Sequence, residues 1–168
     1  MRPAAHPTTP LAEKPVDVGL VPSPMDRAAG HALLAELAGA RTQSNTLGPL
    51  DDLAPGFADW IVTALFGGTY QRPGLALRDR QVANLAALTA LGGVEPQLAD
   101  HVRNSLRIGL TRTEITEILV HLAPYVGVPK ALAGLRVAAA TFSETETEAE
   151  TESDGAGASG FDTEGAAV

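Results

Sequence analysis

The 168-residue chain predicts an all-α fold, a bundle of six helices. Three observations carry that expectation. Six stretches repeat their apolar residues at the 3.6-residue helical period. Glycines and prolines stand between those stretches, where one helix stops and the next begins. No stretch alternates apolar and polar residues as a half-buried strand does. The helices fall within residues 25–142. Residues 1–24 hold six prolines and read as a flexible, extended arm, because such a segment cannot sustain helical hydrogen bonds. Residues 143–168 alternate Glu with Thr and Ser, then turn Gly- and Ala-rich. They read as a disordered acidic tail, since Glu144, Glu146, Glu148, Glu150 and Glu152 repel one another and almost nothing apolar offsets the cost of ordering.

The first helix covers about 25–38. It faces inward through Leu33, Leu34 and Leu37, has Asp26 in its first turn and stops at Gly39. A polar loop over 42–55 follows. The second helix, about 55–66, keeps Phe57, Trp60, Ile61, Ala64 and Leu65 at helical spacing, with Trp60 read as core. After Gly67-Gly68, residues 69–75 form a short loop turned by Pro73-Gly74. The third helix, about 78–91, is apolar nearly all round after its first turn, the pattern of a central, buried helix. The fourth, about 95–108, starts at Pro96 and buries Leu98, Val102 and Leu106, with His101 on the edge of that side. The sixth, about 129–141, is an Ala/Leu/Val run suited to the core or to a subunit contact.

The fifth helix is the most sharply punctuated. Gly109 ends the helix before it, and Thr111 stands three residues ahead of Glu114, the capping-box spacing. Ile115, Ile118, Leu119 and Leu122 share one face. Glu117 and His121, four apart, stack on another. Pro124, Gly127 and Pro129 close the stretch.

Bulk properties exclude several functions. Eight of the 20 acidic residues lie in 143–168, so residues 1–142 carry 12 of each sign. A neutral body with no basic stripe argues against nucleic acid as a partner. There is no cysteine, which removes disulfides, thiolate ligands and thiol chemistry. No apolar run is long enough to span a membrane and no secretory signal is visible, so a cytoplasmic protein without membrane contact is expected. Neither metal-ligand spacing nor a Gly-rich phosphate loop occurs, so no metal and no nucleotide cofactor are expected.

Six residues are candidates for chemistry. His121 suits a general acid, having a near-neutral pKa, but could equally be a surface or subunit-contact histidine. Glu117 could orient it, or be an ordinary solvated acid. Arg72, braced by Pro73-Gly74, could grip a carboxylate through two hydrogen bonds, or be a surface arginine fixed by a turn. Arg80 could pair with Asp79 or Asp100, or form a second anion site. His101 reads as a satisfied core residue or a catalyst. Tyr125 could reach a pocket mouth or anchor the helix exit. Glu114 is explained by its capping box.

The run G-L-T-R-T-E-I-T-E-I-L-V-H-L-A-P-Y-V-G-V-P at 109–129, with R-P-G-L at 72–75 and H-V-R at 101–103, resembles the signature of the carboxymuconolactone decarboxylase family, an AhpD-like superfamily. The resemblance covers about 26–142. It implies a six-helix, oligomeric bundle, commonly a trimer or hexamer, and a cofactor-free lyase acting on a lactone or unsaturated carboxylic acid. His121, Glu117 and His101 are the implied catalytic residues, and Arg72, Arg80 and Tyr125 the implied substrate contacts. The Cys-x-x-Cys pair of the AhpD-like peroxidase partners is missing. An isomerase, dehydratase or cyclase acting on a related enol, or a non-catalytic ligand-binding oligomer, are the alternatives.

Overall fold

The computed structural model describes residues 25–42 and 47–158, and every regular element among them is helical. The proline-rich arm at 1–24, residues 43–46 of the polar loop and residues 159–168 of the acidic tail lie outside the described residues. In order the helices are α1 (Arg27–Thr42), α2 (Gly48–Leu53), α3 (Phe57–Trp60), α4 (Leu77–Leu91), α5 (Glu95–Arg107), α6 (Arg112–His121), α7 (Ala123–Val126) and α8 (Val128–Ala158). The α3 helix runs on as a π-helical stretch, Ile61–Phe66, and a single 3-10 turn, Thr69–Gln71, precedes α4. The short α2 and α7 are additions to the six helices expected. Among the described residues no helix is long and apolar enough to cross a membrane.

The main core lies among α4, α5, α6 and α8. Leu85, Leu98, Val102, Leu110, Ile115, Leu119 and Ala138 pack there, out of solvent. A second cluster, Leu34, Ala38 and Val62, joins α1 to the π-helical stretch. Those two elements cross closely because glycine leaves room for backbone. A Cβ on Gly67 would stand 2.1 Å from the Asp26 carbonyl, and one on Gly30 would stand 2.4 Å from that of Val62. Asp26 caps α1 by accepting from the Ala29 amide at 3.0 Å. Gly39, at φ 60°, breaks that helix where the sequence places its stop.

Three expectations meet a different arrangement. The α4 helix buries a stripe of Gln81, Leu85 and Thr89, while Ala83, Ala87 and Leu91 on the other side stay exposed. Its small residues cover little area, so only one face meets the rest of the chain. Trp60, expected in the core, is 61% exposed and stacks on Phe57 instead. The wider turn of the π-helix rephases the faces after residue 60, so spacing that assumes 3.6 residues per turn assigns the wrong side. Finally, α8 does not end near 142 but continues to Ala158. Arg103 pairs with Glu144 at 2.5 Å and Arg112 with Glu146, so two of the tail's acids meet cations on the bundle. Thr147 and Thr151 turn their hydroxyls back to carbonyls one turn earlier.

Candidate active site

The α4 and α5 helices fold back on each other across residues 92–94, and their facing sides carry polar groups where a bundle would place leucines. Gln81 is fully buried, and its Oε1 accepts from His101 Nδ1 at 2.9 Å. That bond puts the proton on Nδ1 and leaves Nε2 as the open nitrogen, without a hydrogen bond among the described residues. Asn84, one turn on, has its Nδ2 3.5 Å from the same Nδ1 and donates to Tyr70 Oη at 2.6 Å. Tyr70 Oη accepts there, so its own proton is left to donate elsewhere. Gln81 Nε2 is buried with no hydrogen-bond partner in the described structure. An orphaned amide there is costly, and such groups gather at functional sites.

Arg80 closes the cluster. Its Nε donates to the Leu75 carbonyl at 3.1 Å and its Nη2 to the Arg72 carbonyl at 2.7 Å. It therefore staples the 72–75 loop to α4. Its guanidinium carbon also lies 5.7 Å from the centre of the Tyr70 ring. The planar fork meets the two carbonyls through separate nitrogens, a spacing that the single nitrogen of an ammonium does not reproduce.

Burial tunes both titratable groups. Desolvation pushes His101 below its usual 6.5, and the nearby Asp100 carboxylate only partly opposes this. Desolvation raises the Tyr70 phenol, against smaller opposing effects of its bond from Asn84 and the Arg80 charge, so Tyr70 is a neutral donor. One turn further along the same helix pair, a small open cleft of about 30 Å³ lies between Leu88, Leu98 and Gly134. It is apolar apart from Thr89, Glu95 and Lys130, and the Lys130 ammonium donates to the Ala90 carbonyl.

Of the six residues singled out in the sequence, the fold brings Arg72, Arg80 and His101 into one connected group. The other three lie elsewhere on the surface. His121 is exposed at the end of α6, its ring 5.2 Å from that of Tyr125, which is 73% exposed. Glu117 is exposed as well, and no hydrogen bond links it to His121 among the described residues. Glu114 completes the capping box with Thr111 and also meets Arg78 at 2.5 Å, which ties α6 to the start of α4. Tyr70, Gln81 and Asn84 had no sequence signal of their own. Amides inside an apolar helix look like ordinary polar punctuation until the facing histidine is known.

The sequence model of the carboxymuconolactone decarboxylase family matches residues 55–140, which include every residue of the cluster. The chain belongs to that family. It is 30% identical over 115 residues to the 4-carboxymuconolactone decarboxylase of Acinetobacter baylyi, covering 68% of this chain and 85% of that one. It is 30% identical over 96 residues to an uncharacterized 15.0 kDa protein of Paracoccus denitrificans, 56% of this chain and 72% of the relative. It is 32% identical over 81 residues to a nitrosuccinic acid decarboxylase of Metarhizium robertsii, 47% of this chain and 54% of that protein's length. The family and the two decarboxylase relatives support a decarboxylase-like function for the chain.

Proposed function

We propose that the protein is a cofactor-free decarboxylase of a lactone or other unsaturated carboxylic acid, with His101 as its proton donor. What supports this reading above all is the cluster of Gln81, His101, Asn84 and Tyr70 beside the Arg80 guanidinium. The two decarboxylase relatives are named for acids that carry an electron-accepting group, a lactone or a nitro group. Such substrates store the electrons left by carbon dioxide themselves. The protein then has two tasks, holding the acid and delivering a proton.

In the proposed reaction the bond between the carboxylate carbon and the ring carbon breaks. Carbon dioxide leaves, and the electron pair spreads into the lactone as a dienolate. The His101 imidazolium gives its Nε2 proton to carbon and regains one from solvent. Gln81 holds the ring by Nδ1 throughout. Tyr70 and the Nη1 group of Arg80, which makes no hydrogen bond among the described residues, donate to the oxygen where charge develops. Arg72, on the loop that Arg80 staples, is the further cation for the substrate carboxylate.

This reading puts proton transfer on His101 rather than on His121 with Glu117. We assign the exposed apolar side chains of Val120, Tyr125, Val128 and Leu132 to contact between copies in a homo-oligomer, a trimer or hexamer. The test is carbon dioxide release from 4-carboxymuconolactone by folded variants. His101→Ala lowers kcat by about 10²–10⁴, the ordinary worth of a positioned general acid. His121→Ala retains activity. An active His101→Ala protein removes the proposed donor, and a wild-type protein that releases no gas from such lactones removes the decarboxylase reading.

A further inference from the structure

We propose that the proline-rich segment 1–24, outside the described part of the chain, docks on the Phe57–Trp60 ring pair of its own subunit. The rings stack with centroids 5.8 Å apart and planes within 9° of parallel, yet they are 46% and 61% exposed. A parallel aromatic pair held one helical turn apart is the kind of surface that proline rings cover, since an extended proline-rich chain loses little entropy on docking.

The first described residues after the segment pack along the helical stretch that carries this pair. Arg27 Nε meets Asp59 Oδ1 at 2.5 Å, next in sequence to Trp60. The Asp26 amide donates to the Gly67 carbonyl at 3.0 Å, which holds the other end of the same helical stretch. Pro22 and Pro24 lie five and three positions before Arg27. An extended proline-rich chain spans roughly 3.1 Å per residue, about 15 Å over five residues. Pro7-Thr8-Thr9-Pro10 repeats the spacing that puts two prolines on one edge of such a helix.

The chain's own segment fits better than a second copy for two reasons. Two aromatic side chains bury at most about 150–250 Å² each, short of the roughly 800 Å² per partner that a stable dimer uses. A tethered segment also docks at an effective concentration in the millimolar range.

Trp60 is the chain's one tryptophan, so its fluorescence reports the site alone. The comparison is the full chain against the full chain carrying Pro15→Ser, Pro22→Ser and Pro24→Ser. The expected result is a red-shifted emission and faster acrylamide quenching in the variant, with unchanged circular dichroism and no dependence on protein concentration. Equal quenching of the two proteins overturns the proposal. So does protection that vanishes on dilution and ignores the prolines, which assigns the rings to a second copy. An independent readout is cleavage after Glu13 by a glutamyl endopeptidase. Trp60→Ala in the full chain speeds it several-fold if the segment docks, and an unchanged rate overturns the docking.

Discussion

Arg80→Ala is the sharpest test of how the candidate site is held. The guanidinium makes a part-buried bond to the Arg72 carbonyl at 2.7 Å and a more exposed one to the Leu75 carbonyl at 3.1 Å. Losing the first costs about 1.5–3 kcal/mol, as for hydrogen bonds to charged groups. The second carbonyl can turn to water, so its loss costs about 0.5–1 kcal/mol. The contact with the Tyr70 ring adds about 0.5–1 kcal/mol. Bonds sharing one side chain are not additive, and about 3 kcal/mol is the working figure. For a chain of this size that lowers Tm by about 6–12 °C. The assay is urea and thermal unfolding at a fixed protein concentration, because an oligomer adds a concentration term. Arg80→Lys should recover less than half of the loss, since the single nitrogen of an ammonium does not reproduce the spacing of the fork. A stability within about 0.5 kcal/mol of wild type for Arg80→Ala refutes the clamp, because that is the range of a featureless surface change.

The remaining predictions concern protons and packing. If the His101 imidazolium is the acid, log kcat/KM falls as pH rises through a midpoint below 6.5, since burial depresses that group in the free protein; a profile that rises instead makes His101 a base. The same depression means the unfolded chain binds the proton first, so this group's contribution to stability is whole above pH 6.5 and lost as pH falls through the lower folded value. Glu114 is held at about 2 by the Thr111 amide, the Arg78 guanidinium and the Thr111 hydroxyl, so its contribution is whole above 4.5 and is lost as pH falls towards 2; Glu114→Gln flattens that part of an acid unfolding profile. Thr111→Ala removes the other half of the capping box and costs about 0.5–2 kcal/mol in denaturant unfolding. Leu119→Ala, at a fully buried core position, costs about 2–5 kcal/mol in the same assay.

The order of helices was written in the sequence because backbone chemistry writes it locally. Gly39 at positive φ, Pro96 in the first turn of α5 and the Thr111–Glu114 box each act within a few residues. They need no tertiary contact to be recognised. Trp60 was misassigned because a π-helical stretch changes the angular step between residues, and nothing in IVTALF announces it. The run of Thr and Glu after 142 has the composition of a disordered segment, but its first acids face Arg103 and Arg112 on other helices. Those pairs are separated by more than thirty residues, so composition could not reveal them. The candidate site divides along the same line. Arg72, Arg80 and His101 could be named from type and context, whereas Gln81, Asn84 and Tyr70 become visible only when α4 is laid against α5.

Burial is what separates the two histidines that the sequence offers together as catalytic candidates. An imidazole at the surface is solvated in both protonation states, and water competes for any proton it could deliver. His121 sits in that environment, with an exposed tyrosine for company. His101 is half-buried, has one nitrogen fixed by a fully buried amide, and lies next to Asn84, which donates to a neutral phenol. Its lowered pKa makes its protonated form the stronger acid. In the proposed reaction an arriving carboxylate would restore that form, because an opposite charge in a poorly solvated site stabilises the imidazolium. The substrate would thus help to charge the group that later protonates it. Such coupling predicts a bound-state pKa above the free-state one, read as a kcat profile displaced to higher pH than that of kcat/KM. Coincident profiles would mean that the acid never senses the carboxylate, and the proton would then have to come from a group outside the α4–α5 cluster.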